Sequence, residues 1–204
     1  MSKKILICDG DSWTAGDLID PELFGGNLRH VDHPDNDQYR LPRVWPHKLG
    51  KLLNVKVSNI SVAGSSNDSI VRRTIENVLI LLEEYKPENI FVIIGWTGAD
   101  RLFLKSDEPG EQRWGGYYMF IPGLIGAKKS KNIQLMKPRH ESMYRELLRT
   151  EWGSWRAIQY RLLLSHFTLQ SFLEKMGVKY LFVNMLQEFE LPIIKLKRKT
   201  LGLY

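Results

Sequence analysis

Four short segments rich in Val, Ile, Leu or Phe are spaced along the chain, and each is followed by polar or turn-forming residues. They are residues 5–8, 55–60, 90–94 and 178–183. Branched and apolar residues in runs of this length are typical of β-strands, and strands apolar on both faces suit a sheet that is covered on both sides. We therefore predict four strands of one buried sheet.

Helical periodicity separates the predicted strands. A helix is expected within residues 42–53, a second over 67–85 and a third over 155–176, with Gly177 as its C-cap. Residues 65–68 supply the N-cap candidates of the second helix. Strands that alternate with helices predict a single α/β domain in three α/β/α layers, with a mostly parallel sheet and right-handed crossovers.

Two long segments interrupt this alternation, at about residues 17–41 and 101–138, and both are predicted to be irregular loops. Each starts where a predicted strand ends, which is the side of a parallel sheet where ligands bind. A basic tail follows at about residues 191–204. No linker or repeat divides the chain, so residues 1–204 are predicted to form one domain.

Composition and charge argue against several classes of protein, including nucleic-acid-binding and membrane-spanning ones. The chain has 204 residues and a formal net charge of +6, with its lysines and arginines in short clusters typical of solvated surface. No basic face interleaved with aromatic residues indicates a nucleic-acid partner. No apolar run is long enough to span a bilayer, and no signal peptide is recognised. The single cysteine, Cys8, is expected to be a small core residue, and a cytoplasmic location is predicted.

Three of the predicted strands end in unusual segments. The first is followed by Gly10-Asp11-Ser12, the second by residues 59–67 with a glycine at position 64, and the third by residues 95–101. Gly10 permits a tight bend, and a serine on a turn after a strand can be aimed at a substrate. Over roughly residues 4–100, these segments resemble the SGNH (GDSL-like) hydrolase superfamily in order and spacing.

The resemblance implies a flavodoxin-like fold and a role for several residues. Ser12 would be the nucleophile, and the backbone N–H groups of Ser12 and Gly64 would face the developing oxyanion. Thr97 stands where the superfamily has an asparagine that adds another donor. Its hydroxyl, or the side chain of Asn67 at a helix start, would take that part. The mechanism needs no metal or organic cofactor.

The base of the superfamily lies in an Asp-x-x-His motif after the last strand, and this chain has no such motif. Either the chain is truncated or split relative to its relatives, or another histidine substitutes, or the protein is not a hydrolase. His30 and His33 lie in the loop after the nucleophile turn, and His33 is the candidate base; a polar surface loop is the alternative. The aspartates beside them match no strong metal-ligand spacing, so no metal is predicted.

Of the other histidines, His47 is expected to be structural, His140 to be exposed, and His166 to be a core or interface residue. Asp11 either caps and orients its turn or takes part in catalysis.

Two further residues are candidates for binding substrate. Arg101 either pairs locally or holds an anionic group, since guanidinium matches carboxylate and phosphate geometry. Trp96, with the aromatics of 114–118, either stacks on a sugar or flat ligand or packs in a small core.

These observations favour a serine esterase or acyl-hydrolase, with deacetylation of carbohydrate as one form. The partner is then a small-molecule or carbohydrate ester, with no nucleic acid and no membrane. The alternative is an inactive SGNH-like binding or assembly module, or a split hydrolase that needs a second subunit or partner chain at its C-terminal tail for the base. The short basic clusters and long loops also resemble phage-encoded members, which would place the protein in the host cytoplasm or the virion.

Overall fold

The computed structural model describes residues 3–16, 36–105, 117–120 and 138–185. Its strands are β1 (Ile5–Asp9), β2 (Lys56–Asn59), β3 (Ile90–Trp96), β4 (Leu102–Lys105), β5 (Tyr117–Phe120) and β6 (Lys179–Asn184). The main sheet has the order β2-β1-β3-β6 and every pairing in it is parallel. The predicted fold class, an α/β domain with a parallel sheet, is confirmed.

The helices alternate with these strands. They are α1 (Ser12–Ala15), α2 (Asp37–Arg40), α3 (Trp45–Leu53), α4 (Asn67–Leu81), α5 (Pro138–Arg149) and α6 (Trp155–Met176). Short 3-10 turns occupy Leu41–Arg43, Pro87–Asn89 and Glu151–Gly153. Of the helices in the described part of the chain, none combines the length and the apolar character that crossing a membrane requires.

Alternation along β1 distributes its side chains to two different layers. Ile5 and Ile7 join the larger cluster, where they meet buried residues of α4 and α6 such as Ile70 and Leu169. Leu6 and Cys8 point the other way, where Trp45 and Leu49 of α3 pack against them. Successive residues of a strand face opposite sides of a sheet. The three layers expected from the sequence are therefore present.

Parallel pairing brings the carboxyl ends of the central strands to one edge of the sheet. Cys8 of β1 lies opposite Asn59 of β2, and Asp9 lies opposite Ile94 of β3. The turns that follow these strands consequently meet at that edge. This is the place where doubly wound sheets bind their ligands.

Parts of the two segments predicted to be irregular form helix or strand, and the prediction was wrong for those parts. Within 101–138, strands β4 and β5 pair antiparallel, with Leu102 opposite Phe120, and α5 begins at Pro138. Within 17–41, α2 covers Asp37–Arg40, while residues 17–35 lie outside the described residues. Pairing across a long connection leaves little trace in the local sequence, which explains the missed strands. The tail at 191–204 also lies outside the described residues.

The longest helix, α6, has the bounds predicted from its periodicity. Ser154 caps its start by accepting a hydrogen bond of 3.2 Å from the Ala157 N–H, and Gly177 ends it with a φ of 70°. Leu169 and Leu173 are fully buried against the sheet. The helix is thus fixed by caps at both ends and by one apolar face.

Replacing Leu169 by alanine should lower the free energy of unfolding by about 2–5 kcal/mol, because it leaves a cavity between α6 and the sheet. Leu164→Ala on the same helix is the matched control, since Leu164 is 67% exposed. Its effect should stay within about 0.5 kcal/mol. Urea unfolding of both variants measures the difference, and equal effects would contradict the assigned packing of α6.

Candidate active site

Ser12 lies on a short helix directly after the central strand. It is the first residue of α1, and Asp11 is the N-cap, whose Oδ1 accepts a hydrogen bond of 3.1 Å from the Trp13 N–H. The Ser12 side chain is partly buried, and no side chain in the described ranges hydrogen-bonds its Oγ. The hydroxyl therefore lies at the carboxyl edge of the sheet without a hydrogen-bond partner among the described residues.

Two backbone N–H groups in the loops at this edge belong to Ser12 and Gly64. Ser12 is at the first position of a helix, where an N–H has no acceptor within the helix. Gly64 lies in the loop between β2 and α4 with a φ of 76°. Among the described residues neither N–H donates a hydrogen bond. A bond of 3.4 Å from the Val62 N–H to the Gly10 carbonyl joins the two loops.

Gly10 allows this turn to pack closely. A Cβ at this position would collide with the Thr14 side chain and would lie 3.0 Å from the Gly95 carbonyl oxygen. Real Cβ atoms almost never come closer to another atom than this, so a side chain would push α1 away from β3. The glycine is needed here for close approach, whereas the sequence predicted a role in a tight bend.

The Asp11 carboxylate connects the turn after β1 to the turn after β3. It is fully buried, and its Oδ2 accepts hydrogen bonds from Thr97 Oγ1 at 2.8 Å and from Arg101 Nη1 at 3.0 Å. Arg101 thus neutralises the buried charge of Asp11 and is itself mostly buried. Asp11 both caps α1 and joins two of the loops that surround Ser12.

Thr97 and Asn67 are held against each other rather than aimed at an oxyanion. Asn67 Nδ2 donates to the Thr97 carbonyl at 3.1 Å, and the Thr97 N–H donates to Asn67 Oδ1 at 3.0 Å. The single hydroxyl proton of Thr97 is given to Asp11. The structure therefore assigns the Thr97 hydroxyl to Asp11, which differs from the donor role expected from the sequence.

Trp96 does not line a binding surface, and the prediction that it stacks on a ligand was wrong. The residue is 1% exposed, and its ring lies 4.2 Å from His166 and 5.2 Å from Phe182 between centroids. It follows Ile94 on the strand face that meets α4 and α6, so alternation directs its ring into the core. Trp114 lies outside the described residues.

The described histidines give Ser12 no base. His166 packs in the aromatic core as expected, and its Nδ1 donates to the Leu162 carbonyl at 2.9 Å. Burial lowers the pKa of His166, and burial together with the Arg40 charge lowers the pKa of His47. His30 and His33 lie outside the described residues. In the part of the chain that the structure describes, no three metal-ligating side chains are grouped.

A buried ion pair beneath the turn that carries Ser12 was not predicted. Asp9 is fully buried at the end of β1, and both of its oxygens accept from Arg73 Nε, at 3.2 and 3.1 Å. Arg73 Nη2 also contacts the Asp9 carboxylate. Thr74 Oγ1 at 3.0 Å and the Gly10 N–H at 2.7 Å complete its hydrogen bonds.

Even with Arg73 beside it, Asp9 is harder to ionise in this position than in water. Burial raises the pKa of Asp9 to about 6, although the charge and hydrogen bonds of Arg73 act in the opposite direction. For the neighbouring Cys8, burial and then the Asp9 charge raise the pKa to about 12. The Cys8 thiol is therefore un-ionised and belongs to the core, in agreement with the sequence expectation.

The sequence carried a signal for this pair. Asp9 follows Ile5 and Ile7 at a spacing of two, so it shares their buried face of the sheet. Arg73 is three residues after Ile70 and so adjoins the apolar stripe of α4. An acid on a buried strand face and a base beside a buried helix stripe together indicate an internal ion pair.

Comparison with known proteins places the chain in a family without assigning an activity. A doubly wound α/β domain with a serine at the edge of its sheet defines the class. Residues 27–199 match a family of unknown function (DUF6071), and the chain belongs to that family. Among curated proteins no significant match is found.

Solved structures that are similar to this chain include two bacterial or environmental proteins. One, from Desulfitobacterium hafniense DCB-2, is attributed to the lipolytic G-D-S-L family; it has 13% identity, a TM-score of 0.32, and coverage of 88% of this chain and 77% of that one. The other, LAE5, is an alpha/beta hydrolase enzyme from the metagenome of Lake Arreo, Spain. It has 13% identity and a TM-score of 0.31, over 100% of this chain and 84% of that one. Likenesses this weak leave the function to be argued from the residues.

Replacing Arg73 by methionine should destabilise the fold more as the pH rises. The folded-state pKa of Asp9 is raised from 3.8 to about 6. Between these pH values the folded state therefore keeps a proton on Asp9 that the unfolded state releases. The Asp9 contribution to stability is therefore complete below about pH 4 and falls until about pH 6. Without Arg73 the pKa of Asp9 rises further, and the fall continues above pH 6.

Urea unfolding at about pH 5 and about pH 8 measures this effect. The stability deficit of Arg73→Met relative to wild type should be larger at the higher pH. The double variant Asp9→Asn/Arg73→Met lacks the carboxyl group, so its deficit should not grow above pH 6. A deficit of Arg73→Met that is independent of pH would show that the guanidinium does not stabilise the Asp9 carboxylate.

Proposed function

We propose that this protein is a serine hydrolase that cleaves carboxylic esters, with Ser12 as its nucleophile. The observation that carries the proposal is that, among the described residues, the Ser12 hydroxyl and the backbone N–H groups of Ser12 and Gly64 have no hydrogen-bond partner. Both loops lie at the carboxyl edge of a parallel sheet, where such domains bind substrates. The resemblance of residues 4–100 to SGNH hydrolases supports the same roles.

The chemistry follows from these groups. Ser12 Oγ attacks the ester carbonyl carbon while a base takes the hydroxyl proton, and the carbonyl oxygen becomes an oxyanion. The Ser12 and Gly64 N–H groups donate to that oxygen. Collapse of the intermediate returns the proton to the leaving alcohol and forms an acyl-serine, which water then hydrolyses. A serine hydroxyl is a weak nucleophile until a base accepts its proton, so the proposal requires one.

We assign the base to the loop after the nucleophile turn, with His33 as the candidate. This assignment rests on the position of the loop in the chain, because residues 17–35 lie outside the described residues. Of the described histidines, His166 is committed to the Leu162 carbonyl and to the aromatic core. His33→Ala should then abolish activity while leaving the folded protein intact.

An exposed aromatic ring next to the nucleophile supports an ester with an apolar or sugar component. Trp13 follows Ser12 directly and is 50% exposed, whereas Trp96 is buried. A flat indole beside the reactive hydroxyl suits an acyl chain or a sugar ring. Arg101 lies at the same edge, where its charge is already paired with Asp11. A neutral ester therefore fits this edge better than an anionic one.

A second candidate function is a non-catalytic binding module of the same fold. One observation favours it: the Thr97 hydroxyl donates to Asp11 and so is not available to an oxyanion. A protein that retained the turn only as architecture would show the same feature. Reactivity of Ser12 separates the two candidates.

Treatment of the purified full chain with a fluorophosphonate probe tests the proposal. The probe forms a covalent bond only with an activated serine and needs no natural substrate. We expect modification at Ser12, located by mass spectrometry, and none in Ser12→Ala. Ser154, an exposed cap residue of α6, provides an internal control and should remain unmodified.

Absence of labelling in a protein shown to be folded would contradict the hydrolase and favour the binding module. Labelling at Ser12 and Ser154 at equal rates would also contradict it, because exposure alone would then explain the reaction. Selective labelling that is lost in His33→Ala would support both the nucleophile and the base.

A further inference from the structure

We propose that Arg73 is a positioning residue that fixes the distance between the two loops carrying the oxyanion donors. The inference rests on the proposed function, since it assigns a task to a residue that does not touch the reacting atoms. One loop contains Gly10 and Ser12, and the other contains Val62, Gly64 and Ser65. Arg73, in the second turn of α4, contacts both.

The guanidinium of Arg73 makes contacts in two directions. On the β1 side it holds the Asp9 carboxylate and lies 3.4 Å from the Gly10 carbonyl oxygen through Nη2. On the other side the same Nη2 donates to Ser65 Oγ at 3.1 Å. Gly10 is two residues before Ser12, and Ser65 follows Gly64. A single planar group thus contacts neighbours of both unpaired N–H groups.

Hydrogen bonds within the second loop and from it to Gly10 connect Ser65 to the first loop. Ser65 Oγ, which accepts from Arg73, donates its own proton to the Val62 carbonyl at 2.7 Å. The Ser65 N–H donates to the same carbonyl at 3.1 Å, and the Val62 N–H donates to the Gly10 carbonyl at 3.4 Å. Arg73, Ser65, Val62 and Gly10 therefore form a closed ring of hydrogen bonds. The ring fixes one loop relative to the other.

Burial of Asp9 makes this ring rigid. The carboxylate is fully buried, and only 16% of the Arg73 side chain is exposed, so the guanidinium cannot move to water without leaving a buried charge unpaired. Arginine suits the task because its donors form a planar fork that can face several acceptors at once. Lysine carries the same charge but concentrates its donors at one point.

A small error in the separation of the two loops should affect the transition state more than the bound substrate. Donors in an oxyanion site act on charge that develops only during the reaction, and loss of one donor typically costs about 10²–10³ in rate. A misplacement of about 1 Å, even when its cause is far from the reacting atoms, can lower the rate about 10²-fold. Weakening the ring is therefore expected to lower kcat with little change in KM.

The test compares Arg73→Lys with Arg72→Lys in the full chain. Arg72 is the preceding residue of α4, half exposed, with an ion pair of 3.5 Å to Glu76, so it matches the charge and helix position but not the contacts. We expect Arg73→Lys to slow Ser12 labelling by the fluorophosphonate probe, and to lower kcat for p-nitrophenyl acetate, by about 10- to 100-fold. Arg72→Lys should retain wild-type rates.

Hydrogen exchange of the loop amides gives a readout that does not depend on activity. Mass spectrometry should show faster exchange over residues 10–12 and 62–65 in Arg73→Lys and no change there in Arg72→Lys. Unchanged exchange in Arg73→Lys would overturn the inference, even if wild type proved inactive. Faster exchange with an unchanged kcat in an active enzyme would also overturn it.

Ser65→Ala separates the positioning role from neutralisation of Asp9. The variant removes the hydroxyl that links Arg73 to the second loop and leaves the Asp9–Arg73 contacts in place. It also remains available if Arg73→Lys does not fold. We expect a loss of kcat in the same direction and faster exchange over residues 62–65. If kcat and the hydrogen exchange of Ser65→Ala both equal those of wild type, Arg73 only compensates the buried charge of Asp9. Wild type that is not labelled refutes the hydrolase proposal separately.

Discussion

The Asp9 carboxylate at the end of β1 has no access to water. Its burial requires that the Arg73 guanidinium of α4 lie against it. Even with Arg73 in contact, burial keeps the pKa of Asp9 at about 6. Loss of either partner would leave an unpaired charge inside the protein, which typically costs several kcal/mol. The orientation of α4 on the sheet, and with it the start of the loop before α4, therefore depends on this pair.

The other polar contacts at this edge extend from the same region. Asp11 joins the turn after β1 to Thr97 and Arg101 after β3, and Asn67 at the start of α4 holds the Thr97 backbone through both amide atoms. Three loops from three strands are thus connected by buried side chains. Such connections keep the Ser12 turn in one position, because each loop moves only if its neighbours move too.

The side chains at the carboxyl edge of the sheet determine which hydrogen-bond donors are available there. The Thr97 hydroxyl serves the architecture, because it donates to the buried carboxylate of Asp11. In the proposed hydrolase the oxyanion donors are backbone groups, whose placement depends on the loops. A site of this kind is sensitive to loop geometry, which gives the buried contacts of Arg73 and Ser65 their importance.

Local pattern alone determined the four parallel strands, the helices α4 and α6, and the serine turn after β1, because strand and helix periodicity and glycine turns are properties of neighbouring residues. The β4–β5 pairing was decided by contact between distant segments, which periodicity does not record. The Asp9–Arg73 pair lies between these cases. The sequence placed each residue on a buried face, but only the packing of α4 on the sheet brought the two charges together.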